Sequence, residues 1–534
     1  MKLKYLLSIG ILLSGVWSSC SDDLNQYPTV EATNKTVYTS VDGYKAVLAK
    51  LYASFVLAGQ EKGGGDADLS SNTGYDYMRL YYTMQEVPTD EMAYTWVEGD
   101  NLYNLSYLNW DDNDIWVSDM YYRIYYTITM CNEFLRNATD DAIAGFPAAD
   151  QVSIKEYRAE ARFIRALAYY HALDLYGNVP YIDETKEIGS DYFPAQYSQR
   201  QMFDYIESEL KAISPELPDP SATEYDHASK AADWALMAKL YLNGEVYTGE
   251  SHYNDCVTYC DSIIHLNEFS LESDYHHLFN ADNNLRTNEI IFSFGVDATN
   301  AVSWGSSTYL VCGSVSSSNS NENPADYGVN SGWGSFRAKS NLTGLFSDLS
   351  GSTDSRGRFF TEGQTKTVQD LTDESQGYLF EKWTNLTDGG QTASNTSSDG
   401  VDTDLPVFRL ADIYLSYAEA VLRGATNGTS GQALAYVNDV RERAYGGSDG
   451  NITAEDMTLP FILNERGREL YLEATRRTDL IRFNKLTGSN YLWAFKGGVE
   501  DGSGVDSKYK LFPIPSTELT ANPNISQNSG YSSK

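Results

Sequence analysis

Apolar residues return at helical spacing from Val407 to Gly424: Leu410, Ile413, Tyr414, Tyr417, Ala418, Val421 and Leu422 fall at i, i+3, i+4, i+7, i+8, i+11 and i+12. That is one apolar stripe on one helix. Gly424 closes it, Gln432–Ala444 supplies a shorter partner, and Phe461–Thr475 runs on helically into Arg476–Phe483. The same period marks Val41–Ala58, Asp112–Asn137, Val152–Tyr176, Met202–Ile213, Lys230–Asn243 and Tyr253–Leu266. Helices joined by short turns predict a mainly α scaffold of helical hairpins. In Lys230–Asn243 the small residues Ala231, Ala235 and Ala238 stand beside Trp234, Met237 and Tyr241, a spacing that lets helices approach closely. No clean 34-residue period is visible, and Glu289–Phe294 reads as a short strand.

Two stretches break the pattern. Tyr75–Trp110 interleaves Tyr94, Trp96, Tyr103, Tyr107 and Trp110 with Thr89, Asp90, Glu91, Glu98, Asp100, Asn101 and Asn104, and reads as an aromatic loop. Gly295–Gly400 is rich in Ser, Gly, Asn and Thr, yet it carries Trp304, Tyr309, Tyr327, Trp333, Phe336, Tyr378 and Trp383. A purely disordered insert would not hold three tryptophans, and long loops in compact proteins are commonly functional. Aromatic faces beside hydrogen-bonding side chains suit a sugar ring, which has an apolar C–H face and a hydroxyl rim. The chain therefore divides into a scaffold over 41–294 with its aromatic loop 75–110, a loop-rich, short-strand-containing insert over 295–404, and a second scaffold and tail over 405–534.

Ahead of the scaffold, Lys2 and Lys4 precede an apolar run Tyr5–Val16 and the small residues Ser18 and Ser19. This reads as a secretory signal over 1–19, too short to span a membrane. Cys20 follows directly, then a polar linker to residue 40. The net charge of −35 excludes nucleic acid as a main partner. Of the remaining cysteines, Cys256 and Cys260 are one helical turn apart without zinc-site spacing. Buried, unbridged thiols are the preferred reading for them and for Cys131 and Cys312, although an exported chain permits disulfides.

No HExxH or GxxxxGK[ST] pattern occurs, and no GxSxG nucleophile elbow is read between a strand and a helix. Asp90 and Glu91 invite a hydrolytic carboxylate pair, but neighbours on an extended segment point apart, so a polar rim or a solvated face is preferred. Asp282, Asn283 and Asn284 make calcium possible without an EF-hand pattern. Glu473 and Arg477 stand at i, i+4, and the cluster of Arg476, Arg477, Asp479 and Arg482 reads as internal pairing.

The wording of FRLADIYLSYAEAVLRG (Phe408–Gly424), NERGRELYLEATRRTDLIRF (Asn464–Phe483), LFPIPSTELTANPNISQNSGY (Leu511–Tyr531) and AEARFIRALAYYHALDLYGNVPYI (Ala159–Ile182) resembles the SusD/RagB family. These are surface glycan-binding lipoproteins of Bacteroidetes nutrient uptake. The resemblance implies a TPR-like fold and glycan capture without catalysis. It also implies a SusC-like TonB-dependent transporter as partner, and an outer-membrane lipid anchor on Cys20 followed by the acidic residues Asp22 and Asp23. Trp96, Asn101, Trp304, Tyr309 and Trp333 become the candidate ligand contacts. A surface glycoside hydrolase is the alternative, and the glycan itself is not named by the sequence.

Overall fold

Stretches with a 3.6-residue stripe fold as helices in the computed structural model, which describes residues 34–59, 69, 71–186, 192–394 and 400–532. The principal helices are α1 (Val41–Val56), α2 (Tyr77–Glu86), α3 (Ile115–Asn137), α4 (Ala148–Tyr176), α5 (Gln199–Ile213), α6 (Lys230–Leu242), α7 (Tyr253–Ile264), α8 (Ser306–Ser314), α9 (Leu410–Leu422), α10 (Ser430–Tyr445), α11 (Leu459–Leu470) and α12 (Arg476–Arg482). Helix α3 packs on α4, α4 on α5, α6 on α7 and α9 on α10, while α7 against α9 joins the two scaffold blocks. The close-packing alanines Ala231, Ala235 and Ala238 are fully buried in α6. The secretory signal, Cys20 and most of the linker lie outside the described residues, as does most of the glycine-rich loop near residue 64. None of the described helices is long and apolar enough to cross a membrane.

Helix ends follow local chemistry. Ser198 and Gln201 form a reciprocal capping box at α5. Gly177 ends α4 at a φ of +72°, where a Cβ would meet Leu511 Cδ1 at 2.8 Å, so both backbone and packing require glycine there.

Four strands matter for the architecture: β1 (Met92–Tyr94), β2 (Ile290–Phe294), β3 (Phe336–Ala338) and β4 (Leu405–Arg409). Strand β2 pairs antiparallel with β4 through a bulged register, which brings the two ends of the loop-rich segment together. Residues 407–409, read above as the start of a helix, therefore belong to a strand. The four cysteines of the described residues are buried and none is in a disulfide. His171 is also a core residue: it hydrogen-bonds the Tyr77 hydroxyl at 2.8 Å and stacks on Tyr81. Burial lowers its pKa to about 3 and keeps it neutral.

The arginine cluster is internal, as read, with one different pairing. Helix α11 stops at Leu470, and Leu472 and Ala474 take left-handed backbone at φ +54° and +55°. This strained turn is held by the complete burial of Leu472, and it breaks the helical register between Glu473 and Arg477. Glu473 instead meets Lys382 at 2.6 Å and Arg409 at 2.7 Å, whereas Arg477 meets Asp174 at 3.2 Å. Glu469, with no exposed side-chain surface, accepts from Arg409, Arg356 and Arg443. Arg356 and Lys382 come from the loop-rich segment, so that segment is bolted into the second scaffold block by buried charge.

Asp233, in the first turn of α6, is buried, and neither carboxylate oxygen has a hydrogen-bond partner. Burial raises its pKa to about 8. A raised folded-state value gives stability that is complete below the unfolded pKa and is lost as pH rises toward 8. Asp233→Asn is therefore expected to stabilise the protein at pH 9 by a few kcal/mol, on the order of 2–5, and to change little at pH 4. Thermal melts at the two pH values check this; an equal effect at both would show that the carboxylate is solvated.

Candidate functional site

The aromatic loop and the loop-rich segment meet along one small sheet. Strand β1 pairs antiparallel with β3, Met92 opposite Ala338 and Tyr94 opposite Phe336, and the Thr95 amide extends the ladder to the Ser335 carbonyl at 2.8 Å. Just beyond the strand ends, the Trp96 and Trp333 rings lie 6.4 Å apart at 35°. Trp333 is fixed by its amide donating to the Cys312 carbonyl of α8 at 2.7 Å. Trp96 is 37% exposed and Trp304 46%, unusual for the largest apolar side chain, and Trp333 is half-buried.

Beneath these rings sits Arg79 of α2. Asp76 caps that helix by accepting the Arg79 amide at 2.8 Å, and its other oxygen accepts the Ser303 hydroxyl at 2.7 Å. The backbone at Gly305 comes so close that a Cβ there would fall 1.5 Å from the Asp76 carboxylate. The turn carrying Trp304 is thus pinned to the start of α2. The Arg79 guanidinium lies 3.5 Å from the Tyr75 ring centroid, 4.5 Å from Tyr309 and 5.5 Å from Trp333, and donates to the Trp304 carbonyl at 2.7 Å. Burial works against its charge, but Tyr94, Tyr75, Tyr309 and Asp100 around it raise its pKa on balance.

Asp100 completes the frame. It accepts the Tyr94 hydroxyl at 2.5 Å and the Tyr75 hydroxyl at 3.2 Å, and faces Arg79 at 3.6 Å. Its carbonyl accepts the Trp116 indole N–H at 2.7 Å. Asn101 follows with an exposed side chain and left-handed backbone at φ +55°, a conformation asparagine tolerates better than most residues.

The five candidate contacts therefore separate. Trp96, Trp304, Trp333 and Asn101 surround the Arg79–Asp100 frame with surface exposed. Tyr309 does not: it is 1% exposed, packs edge-on against Phe336, and shares a 2.9 Å hydrogen bond with Thr83. No ring face is left for a ligand, so its place among the contacts is corrected to that of a supporting residue. Asp90 and Glu91 are corrected as well. They form neither a polar rim nor a solvated face, since Asp90 is bidentate to Arg476 at 2.7 Å and Glu91 is buried 3.4 Å from the same guanidinium. A carboxylate pair held this way has no access to a glycosidic bond. In the turn considered for calcium, Asn283 is buried, its amide nitrogen bridging the Leu278 and Asp404 carbonyls, and Asp282 accepts the Asp388 amide. Among the described residues no group of three or more His, Cys, Asp or Glu is arranged to hold a metal ion.

Sequence reasoning missed Arg79 and Asp76. The available signal was a single arginine inside an aromatic run, YDYMRLYYTM, with aspartate three residues before it.

Known proteins share both sequence and architecture with this chain. Residues 357–531 match the SusD family, and residues 68–242 match a second family described as starch-binding, associating with outer membrane. The chain is 31% identical to the starch-binding protein SusD of Bacteroides thetaiotaomicron, over 99% of this chain and 100% of that one. It is 23% identical to a SusD-like protein of Bacteroides ovatus, over 90% of this chain and 82% of that one. Among solved structures, a SusD-like carbohydrate-binding protein from Bacteroides fragilis superposes with a TM-score of 0.71 at 18% identity, covering 92% of this chain and 99% of that one. Surface glycan-binding protein A from Bacteroides thetaiotaomicron, in complex with laminarihexaose, does so at 0.66 and 18%, covering 92% and 100%. At those identities the structural likeness speaks for the fold.

Proposed function

Since this chain belongs to the SusD family, we propose that it captures an oligosaccharide at the cell surface and passes it to a SusC-like TonB-dependent transporter of the outer membrane. It would be tethered there by lipid on Cys20. The observation that carries the capture step is the meeting of Trp96 and Trp333, brought from distant parts of the chain to one exposed spot. Trp304 and Asn101 stand on the same frame and would supply a further ring face and an amide for hydroxyls. The names of the relatives supply the first ligands to try: starch for the full-length relative and a laminari-oligosaccharide for one of the structures.

Trp96→Ala and Trp304→Ala are each expected to weaken glycan binding about 2- to 13-fold, from about 0.5–1.5 kcal/mol of stacking per ring. The helical circular dichroism should be unchanged. Calorimetry and affinity gels with amylopectin, maltoheptaose and laminarihexaose read the effect, and unaltered affinity in both variants would sink the site assignment. The hand-off has its own test: a TonB-dependent barrel should co-elute with the lipidated protein from detergent-solubilised outer membranes. If it does not, the delivery step is removed and capture stands alone.

A further inference from the structure

We infer that the cleft beside the start of α11 is a second ligand site, taking the C-terminal residue of a peptide by its free carboxylate and an apolar side chain; it does not depend on the capture reading above. The cavity is about 420 Å³, within the range of small-ligand pockets, and shares no residue with the tryptophan site. Its floor is apolar: Leu459, Pro460 and Leu463 come from α11, and Phe483 and Tyr491 from the segment that follows α12.

Its charge is the opposite of the molecule's. The chain carries 74 acidic residues against 39 lysines and arginines, yet none of the described residues lining the cleft is acidic, whereas Arg423, Arg482 and Lys485 all line it. Behind the wall, Arg482 meets Glu419 and Asp479 at 2.6 Å and Arg423 meets Glu419 at 2.7 Å. Arg466 bridges Asp479 and Asp412, and Lys239 also meets Asp412. Four cations thus stand against three carboxylates, and one positive charge is in excess. Lys485 adds a second: its ammonium lies 5.9 Å from the Tyr491 ring centroid and pairs with no carboxylate among the described residues. A cavity this positive on so acidic a chain selects an anion, and its floor requires that the anion be joined to an apolar group.

The rim decides what joins them. Asn464 and Asn484 are exposed. The Asn464 side chain makes no hydrogen bond among the described residues, and of the Asn484 amide only the oxygen is engaged, by Lys510 at 3.3 Å. A primary amide presents a donor and an acceptor, the complement of a peptide bond, whereas a simple fatty or aromatic acid would leave both idle. Capture of a C-terminal carboxylate is a recurring mode of peptide recognition. The wall is also preformed: Asn484 follows α12 with left-handed backbone at φ +54°, and the Lys485 amide returns to the Leu480 carbonyl at 2.7 Å. Little ordering is then left to oppose binding.

The test is calorimetry on the full-length protein with three probes: alanyl-alanyl-phenylalanine, the same tripeptide amidated at its C terminus, and phenylpropionate, which keeps the ring and the carboxylate but has no peptide bond. The free tripeptide is expected to bind one-to-one, and amidation to weaken it about tenfold, the scale of one hydrogen bond to a charged group. Lys485→Glu should weaken it by about as much or more. Asn464→Trp, which fills the cleft and alters no charge, should abolish binding. Both variants should keep the parent's glycan affinity and melting temperature, so a failure here leaves the capture reading standing. Equal binding of the free and amidated peptides, unaltered affinity in both variants, or no saturable binding of the tripeptide at millimolar concentration would overturn the inference. Phenylpropionate binding as tightly as the tripeptide would overturn the peptide as occupant. If Lys485→Glu does not fold, Asn464→Trp carries the comparison.

Discussion

Glu469→Ala is expected to destabilise the protein by about 3–5 kcal/mol, the usual cost of removing one partner from a buried ion pair. Glu469 has no exposed surface and accepts from three guanidinium groups, those of Arg409, Arg443 and Arg356. The loss is kept near that of a single pair because each arginine retains another carboxylate: Arg409 has Glu289 and Glu473, Arg443 has Glu289, and Arg356 has Asp354 and Glu465. Glu469→Gln keeps an acceptor oxygen and should fall between the two. Urea denaturation followed by circular dichroism measures both, and a change below about 1 kcal/mol for the alanine variant, the scale of an exposed pair, would mean that water screens the cluster.

Acid should dismantle the same cluster. Burial pushes the Glu465 carboxyl up, but Arg356, Arg468 and Arg441 more than reverse this and leave its pKa at about 2. Glu469 and Asp412 are likewise carried below the ordinary carboxylate range, against burial, by Arg443, Arg409 and Arg356 in one case and Lys239 and Arg466 in the other. A depressed folded-state pKa gives stability that is complete above the unfolded value and is lost as pH falls through the folded one. The window therefore opens at about pH 4.5 and runs to about pH 2, and Glu465 alone accounts for about 3 kcal/mol across it. Melting temperatures recorded from pH 6 to pH 2.5 should drop steeply below pH 4.5, and Glu465→Gln should start lower and fall less. A flat profile through that window would contradict the assigned pairings. On the other side, Glu86 and Glu322, each raised to about 7 by burial, lose stability as pH climbs toward 7, which places the most stable condition on the acid side of neutral.

The scaffold was legible because its helices are amphipathic. Leu410 to Leu422 announces itself by one stripe, and so do α3 to α7 and α10. Helix α2 was not legible, because it lies inside the aromatic run read as a loop and all ten of its residues are buried, the polar Arg79, Thr83, Gln85 and Glu86 included. The same holds for α8, whose nine residues are all buried inside a stretch that reads as loop. That explains Tyr309: its polar, glycine-rich surroundings suggest a surface, whereas it faces inward from an unrecognised helix. Residues 407–409 look helical until their partner strand at 290–294 is known. The position of Asp90 depends on Arg476, a partner that local periodicity does not reveal. Trp96, Trp304, Trp333 and Asn101 could be named as candidates once the family resemblance stood beside the aromatic and polar composition, but the arginine that gathers them could not. One arginine among aromatics has no spacing rule, and its role depends on what the fold places around it.

The turn at Leu472–Ala474 and the arginines after it also set an order of events. Asp90 waits for Arg476 across 386 positions, the Glu86 carboxylate for the Ala474 amide across 388, and Asp174 for Arg477 across 303. Non-local closures of this length come late and slow a chain's folding. A nascent chain lacking its final sixty or so residues would thus hold several carboxylates in a half-formed interior with no cation to meet them. The segment that leads into the N-terminal half of the candidate site is thus fastened by residues from nearly the other end of the chain.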